Sequence, residues 1–196
     1  YVKRASPQAL EILARVIKEQ GFETPEQAAK FMVERLAARD LRPEYLAFTG
    51  EVNADGYETG ELVAPVFSDV PENFKKWRQN KKGIFTYSNG TPEEQVLILR
   101  TSDKGDLTGL VDGCFGTTDM GTKYTSDSYK RISDKIQTSP SQIIFLSDTP
   151  QELDAADKAG YKSISVVRPG NKPVDGNYNR VNSFDEVNVD WISLIF

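Results

Sequence analysis

The sequence predicts an α/β protein: a parallel sheet covered on both faces by helices, preceded by a helical module. Three observations carry this. Helix and strand patterns alternate from about residue 64 onward. The strand segments are continuous apolar runs such as Ile143-Ile144-Phe145-Leu146, as in strands buried on both faces. The first 40 residues, by contrast, carry helical periodicity.

Ser6-Pro7 reads as an N-cap and first helical residue, followed by Leu10, Leu13 and Ile17 at helical spacing. Thr24-Pro25-Glu26-Gln27 is a capping box, with Ala28, Phe31, Met32 and Leu36 on one face behind it. Between Pro43 and Gly60 the pattern loosens and glycines appear at 50, 56 and 60. A helix with a basic end is expected over Val70 to Lys82, then a β-rich run over Gly83 to Gly90. Thr91-Pro92-Glu93-Glu94 is a second capping box, opening a helix toward Leu99. A short apolar piece near Val111 to Phe115 precedes a helix over Ser126 to Ile136. "IIFLSD", a helix over Pro150 to Ala159 and "SISVVRPG" complete the alternation. The expected division is a helical module over 1–62 and an α/β module over 63–196.

With 38% hydrophobic and 27% charged residues, the 196-residue chain has globular composition. A net charge of −5 argues against nucleic acid as a partner, because phosphate backbones need a basic face. No apolar run approaches the roughly 18 residues of a membrane span, and no signal peptide is visible. The single cysteine, Cys114, excludes an intrachain disulfide, fits a cytoplasmic location and reads as a buried structural thiol. Histidine is absent, so chemistry must run on Asp, Glu, Lys, Ser, Tyr or a metal.

Ligands of parallel α/β sheets gather at the carboxyl ends of the strands. Ser88-Asn89-Gly90 closes one strand, Asp148 another and Arg168-Pro169-Gly170-Asn171 a third. Lys123 follows a glycine and precedes a helix. A hydroxyl with backbone amides at a helix start suits a phosphate, a lysine neutralises phosphoryl oxygens, and a carboxylate can hold Mg²⁺. Serine, lysine and aspartate on strand ends form a set for phosphoryl transfer. Asp148 also has the readings of loop acid and helix cap. Glu152 has two: Thr149-Pro150-Gln151-Glu152 is itself a capping box, and the carboxylate could stand in the second shell of a metal. If it caps, glutamine should replace it without loss. The Arg168–Asn171 segment reads as a turn shaped by Pro169 and Gly170.

"IFTYSNG", Lys123 and "IIFLSDTPQELDAA" together resemble the second, third and fourth signatures of the haloacid dehalogenase superfamily. More specifically, "GYETGELVAPVFSDV", "YSNGTPEEQ", "DGCFGTTDMGTKYTSDSYKRI", "FLSDTPQELDAADKAG" and "VVRPGN" resemble the enolase-phosphatase of methionine salvage, in the family's order. The resemblance implies a Rossmann-like parallel sheet of the haloacid dehalogenase type with a helical cap. It implies Mg²⁺-dependent enolisation and dephosphorylation of 2,3-diketo-5-methylthiopentyl-1-phosphate. Ser88 would bind the phosphoryl group with the Asn89 and Gly90 amides beside it, Lys123 would hold the phosphate, and Asp148 would ligate Mg²⁺. A monomer in the cytoplasm, or the nucleus, is implied as well. Asn53 and Asp55 depart from the family pattern in the segment that would cover the substrate, which leaves another small phosphate ester open as substrate.

A larger departure concerns the nucleophile. The resemblance implies an aspartate in an Asp-x-Glu-Gly-Thr segment after a strand lying between those that end at Ser88 and Asp148. No such segment occurs here, and Tyr1 matches a position already past it. Two buried strands without their middle neighbour would leave N–H and C=O groups unpaired, at about 1–3 kcal/mol each. The expectation is therefore that these residues are part of a longer protein, or that another segment or chain fills the slot. The alternative to an enzyme is a binding or structural subunit that keeps the fold without the chemistry.

Overall fold

The computed structural model describes residues 2–38, 40, 42–171, 176–188 and 193–196, so Tyr1 lies outside it. The chain divides into two compact units, 1–63 and 64–196.

The first unit holds α1 (Pro7–Gln20), α2 (Pro25–Ala37) and α3 (Pro43–Glu58). Both expected caps form. Ser6 Oγ accepts from the Ala9 N–H at 3.1 Å, and Thr24 and Gln27 close their box reciprocally. Leu13, Val16, Ala28, Met32, Tyr45 and Phe48 make its core, each at most 2% exposed. The loosened stretch after Pro43 is thus a helix. Gly50 and Gly56 dilute its periodicity, but Tyr45 and Phe48, three residues apart, still point into the core. Gly56 is there for space: a Cβ would lie 2.7 Å from the Leu62 side chain.

The second unit runs α4 (Asp69–Gln79), β1 (Gly83–Ser88), α5 (Pro92–Arg100), β2 (Gly113–Gly116), α6 (Thr117–Met120), α7 (Ser126–Lys135), β3 (Ile143–Ser147), α8 (Pro150–Lys158), β4 (Lys162–Val166), β5 (Asn179–Val181) and β6 (Ser193–Ile195). Among the described residues these strands form one sheet in the order β2-β1-β6-β3-β4-β5, parallel throughout. The strand period of two sends alternate side chains to opposite faces. Tyr87, Phe145 and Ile195 pack with Tyr129 and Ile132 of α7 and Leu153 of α8. Ile84, Ile144 and Leu194 pack with Phe74 and Trp77 of α4. Both faces are covered, as the apolar runs predict. No helix among the described residues is long and apolar enough to cross a membrane.

A strand does lie between β1 and β3, and this chain supplies it. In β6, Leu194 sits opposite Ile84 on one side and Ile144 on the other. Beyond its end, the Phe196 N–H donates to the Phe85 carbonyl at 3.2 Å and the Tyr87 N–H to the Phe196 carbonyl at 2.7 Å. Gly83 makes room for this close approach: a Cβ there would fall 2.9 Å from Ser193 Oγ.

Candidate functional site

The predicted site residues stand at the carboxyl ends of β1 and β3 and in the loop before α7. Ser88 closes β1, and its Oγ accepts the Gly90 N–H at 3.2 Å. The turn then enters α5 through the second capping box, with Glu94 Oε2 accepting the Thr91 N–H at 2.8 Å. A Cβ on Gly90 would meet that same oxygen at 2.8 Å, so a side chain there would displace the Glu94 carboxylate from its cap. Gln95, which the sequence reading passed over, steadies it from below. Its Nε2 donates to the Gly90 carbonyl at 3.2 Å and to the Phe115 carbonyl at 2.9 Å.

The loop carrying Lys123 is pinned at three points. Tyr87 Oη donates to the Gly121 carbonyl (2.7 Å), Ser128 Oγ to the Thr122 carbonyl (2.7 Å) and Tyr129 Oη to the Lys123 carbonyl (2.8 Å). The Lys123 ammonium lies over the rings of Tyr87 and Phe145, 5.6 and 5.9 Å from their centroids. It ends 2.7 Å from Glu152 Oε2, with the lysine and glutamate side chains 14% and 8% exposed. This is no solvated surface lysine. Burial raises both Tyr87 and Tyr129 above the ordinary phenol range, and the Glu152 charge adds to it, so both hydroxyls stay protonated donors.

Glu152 does not cap α8. Its Oε2 takes Ser147 Oγ at 2.8 Å along with Lys123, and the Thr149 N–H turns instead to Ser147 Oγ at 3.1 Å. The local box pattern loses to a buried cation that needs a counter-charge. Ser147, like Gln95, has no local signal in the sequence. As the last residue of β3, next to Asp148, it links Glu152 to the strand end.

Asp148 itself is exposed. Its Oδ2 accepts from Asn171 Nδ2 at 2.7 Å, and its Oδ1 from Thr149 Oγ1 at 3.2 Å. A cavity of about 270 Å³ opens beside it, walled by Phe67, Val70, Arg168, Phe184 and Phe196. Arg168 faces Asp69 rather than open solvent, 2.7 Å away. Among the described residues no group of three or more His, Cys, Asp or Glu could hold a metal ion. The donors fit Mg²⁺ only as a hydrated ion taking one carboxylate, that of Asp148, alongside a bound phosphate.

Asp55 has a structural partner, Arg4, at 2.8 Å, and Asn53 is exposed on α3. Cys114 is half-buried on β2.

No protein-family model matches the chain. Curated proteins do. Enolase-phosphatase E1 of Enterobacter sp. (strain 638) is 37% identical over 146 residues, 74% of this chain and 63% of that protein. The match to it thus spans less than two thirds of that relative's length. Enolase-phosphatase E1 of Aquifex aeolicus (strain VF5) is 33% identical over 184 residues, 93% of this chain and 82% of that protein. The crystal structure of the UTR4 protein from Saccharomyces cerevisiae superposes with a TM-score of 0.74 at 28% identity, covering 92% of this chain and 87% of that one. A phosphatase of the haloacid dehalogenase type from Thermococcus onnurineus shares the fold, at a TM-score of 0.62 and 14% identity, over 91% of this chain and 85% of that one. By the extent and identity of the Aquifex match, this chain belongs to the enolase-phosphatase E1 family of the haloacid dehalogenase superfamily.

Proposed function

We propose that this chain carries the phosphate- and metal-binding part of a Mg²⁺-dependent phosphoric monoester hydrolase and enolase acting on 2,3-diketo-5-methylthiopentyl-1-phosphate in methionine salvage. The observation behind this is the Lys123–Glu152 pair, a shielded cation held at the carboxyl end of the sheet. Lys123 neutralises phosphoryl oxygens. Ser88 presents its hydroxyl and Asn89 its amide to them, and the Gly90 N–H, which donates to Ser88 Oγ at 3.2 Å, orients that hydroxyl. Tyr87 and Phe145 keep water from the lysine stem. Mg²⁺, when bound through Asp148, supplies Lewis-acid polarisation of the substrate carbonyl and of the phosphoryl group. The cytoplasm is the proposed location.

A second reading, a binding subunit without turnover, has its own support. Ser193, Leu194 and Ile195, which fill the middle of the sheet as β6, include no acid that could act as nucleophile. Phosphate release from a small phosphomonoester, measured with purified chain and Mg²⁺, separates the two. Release that Lys123→Met abolishes supports the enzyme. Binding of the ester without release supports the second reading.

A further inference from the structure

The turn after β4 does more than reverse the chain. Arg168 is sandwiched between the rings of Phe67 and Phe184, 4.5 and 5.0 Å from their centroids. Its guanidinium donates to Asp69 Oδ2 at 2.7 Å and to the Asn182 carbonyl at 3.0 Å. Asp69 Oδ2 also accepts from Ser183 Oγ (2.9 Å) and the Phe184 N–H (2.6 Å). Both charged side chains are 10% exposed. A planar fork stacked on two rings and tied to a buried carboxylate has little freedom. From that anchor the chain turns back: the Asn171 N–H donates to the Arg168 carbonyl at 3.0 Å, with Gly170 at φ +94°. The turn ends with Asn171 Nδ2 on Asp148 Oδ2 at 2.7 Å.

We infer that Asn171 is the positioning residue of Asp148, and that Asp69, acting through Arg168 and the 168–171 turn, holds Asn171 in place. An aspartate χ2 torsion is soft. The amide on Oδ2 fixes the carboxylate plane, and Oδ1, which takes one hydroxyl from Thr149, keeps a lone pair for a cation. The inference rests on reading Asp148 as the cation-binding carboxylate of the site.

The test uses the whole chain, Mn²⁺ with inorganic phosphate as the probe, and the side-chain amide resonances of Asn171. Asn171→Ala should weaken Mn²⁺ binding by about tenfold, the scale of lost partners of metal ligands, with an unchanged melting temperature. Asp69→Asn keeps an acceptor for Ser183 and Phe184 but removes the charge facing Arg168. It should move the Asn171 side-chain resonances and weaken Mn²⁺ too, and the double variant should bind no worse than Asn171→Ala alone. Wild-type affinity in Asn171→Ala, or unmoved Asn171 resonances in Asp69→Asn, would overturn the inference. If wild type binds no Mn²⁺, or Asp148→Asn binds it equally, the reading of Asp148 fails, and the Asn171 resonances still decide whether Asp69 reaches Asn171.

Discussion

Lys123 Nζ and Glu152 Oε2 meet at 2.7 Å where neither side chain is more than 14% exposed. Glu152 gives this shielded lysine a counter-charge from outside the Lys123 loop. The pair fixes the direction of the ammonium within the folded chain.

Lys123→Met should abolish phosphate binding and lower any turnover by orders of magnitude. It should also cost stability, because Glu152 is left as a buried, unpaired carboxylate. Breaking a buried pair costs about 3–5 kcal/mol, and the low end applies because Ser147 Oγ still serves Glu152. Urea unfolding checks this. A variant as stable as wild type would mean that the pair is not buried in solution.

Glu152→Gln should be as damaging to phosphate binding as a loss at Lys123, since the lysine loses the charge that fixes it. The capping alternative requires a near-neutral substitution, because glutamine completes a capping box as well as glutamate does. Phosphate affinity measured on this one variant separates the two.

Asp69 gives a prediction in pH. Burial raises its pKa, but hydrogen bonds from Arg168, the Phe184 N–H and Ser183 outweigh this and hold it below the ordinary carboxylate range. A depressed carboxyl stabilises the fold above its unfolded pKa of about 3.9 and loses that contribution as pH falls toward the folded value. Wild type should therefore lose stability below about pH 4 more steeply than Asp69→Asn. Parallel acid profiles in the two proteins would show that Asp69 is not paired as described.

Leu194, in the middle of β6, is fully buried between Ile84 and Ile144. Leu194→Ala should cost about 2–5 kcal/mol. A loss under about 0.5 kcal/mol, ordinary for a surface position, would mean that β6 does not occupy the centre of the sheet.

Much of the second unit was legible in the sequence because local rules there agree with tertiary demands. The apolar runs ending at Ser88 and Asp148 are strands, and Thr91 and Glu94 cap as their spacing says. The misreadings arise where a distant partner decides. Thr149 and Glu152 have the spacing of a box, but Lys123 takes the glutamate. The helix α3 is hidden by its glycines, of which Gly56 lies where a Cβ would meet the Leu62 side chain. Nothing local marks Ser193–Ile195 as a central strand, since three residues gain that place only by pairing with segments about 50 and 110 positions away. Arg168 and Asp69 are likewise 99 residues apart.

The carboxyl end of β1 and the Lys123 loop together form the proposed phosphate site. Titrating inorganic phosphate into the chain while following the backbone amides of Asn89 and Gly90 tests this most directly. Those two amides should shift saturably in wild type and stay still in Lys123→Met. If they do not respond in wild type, or respond equally in the variant, Lys123 and the Ser88 turn do not form a common phosphate site.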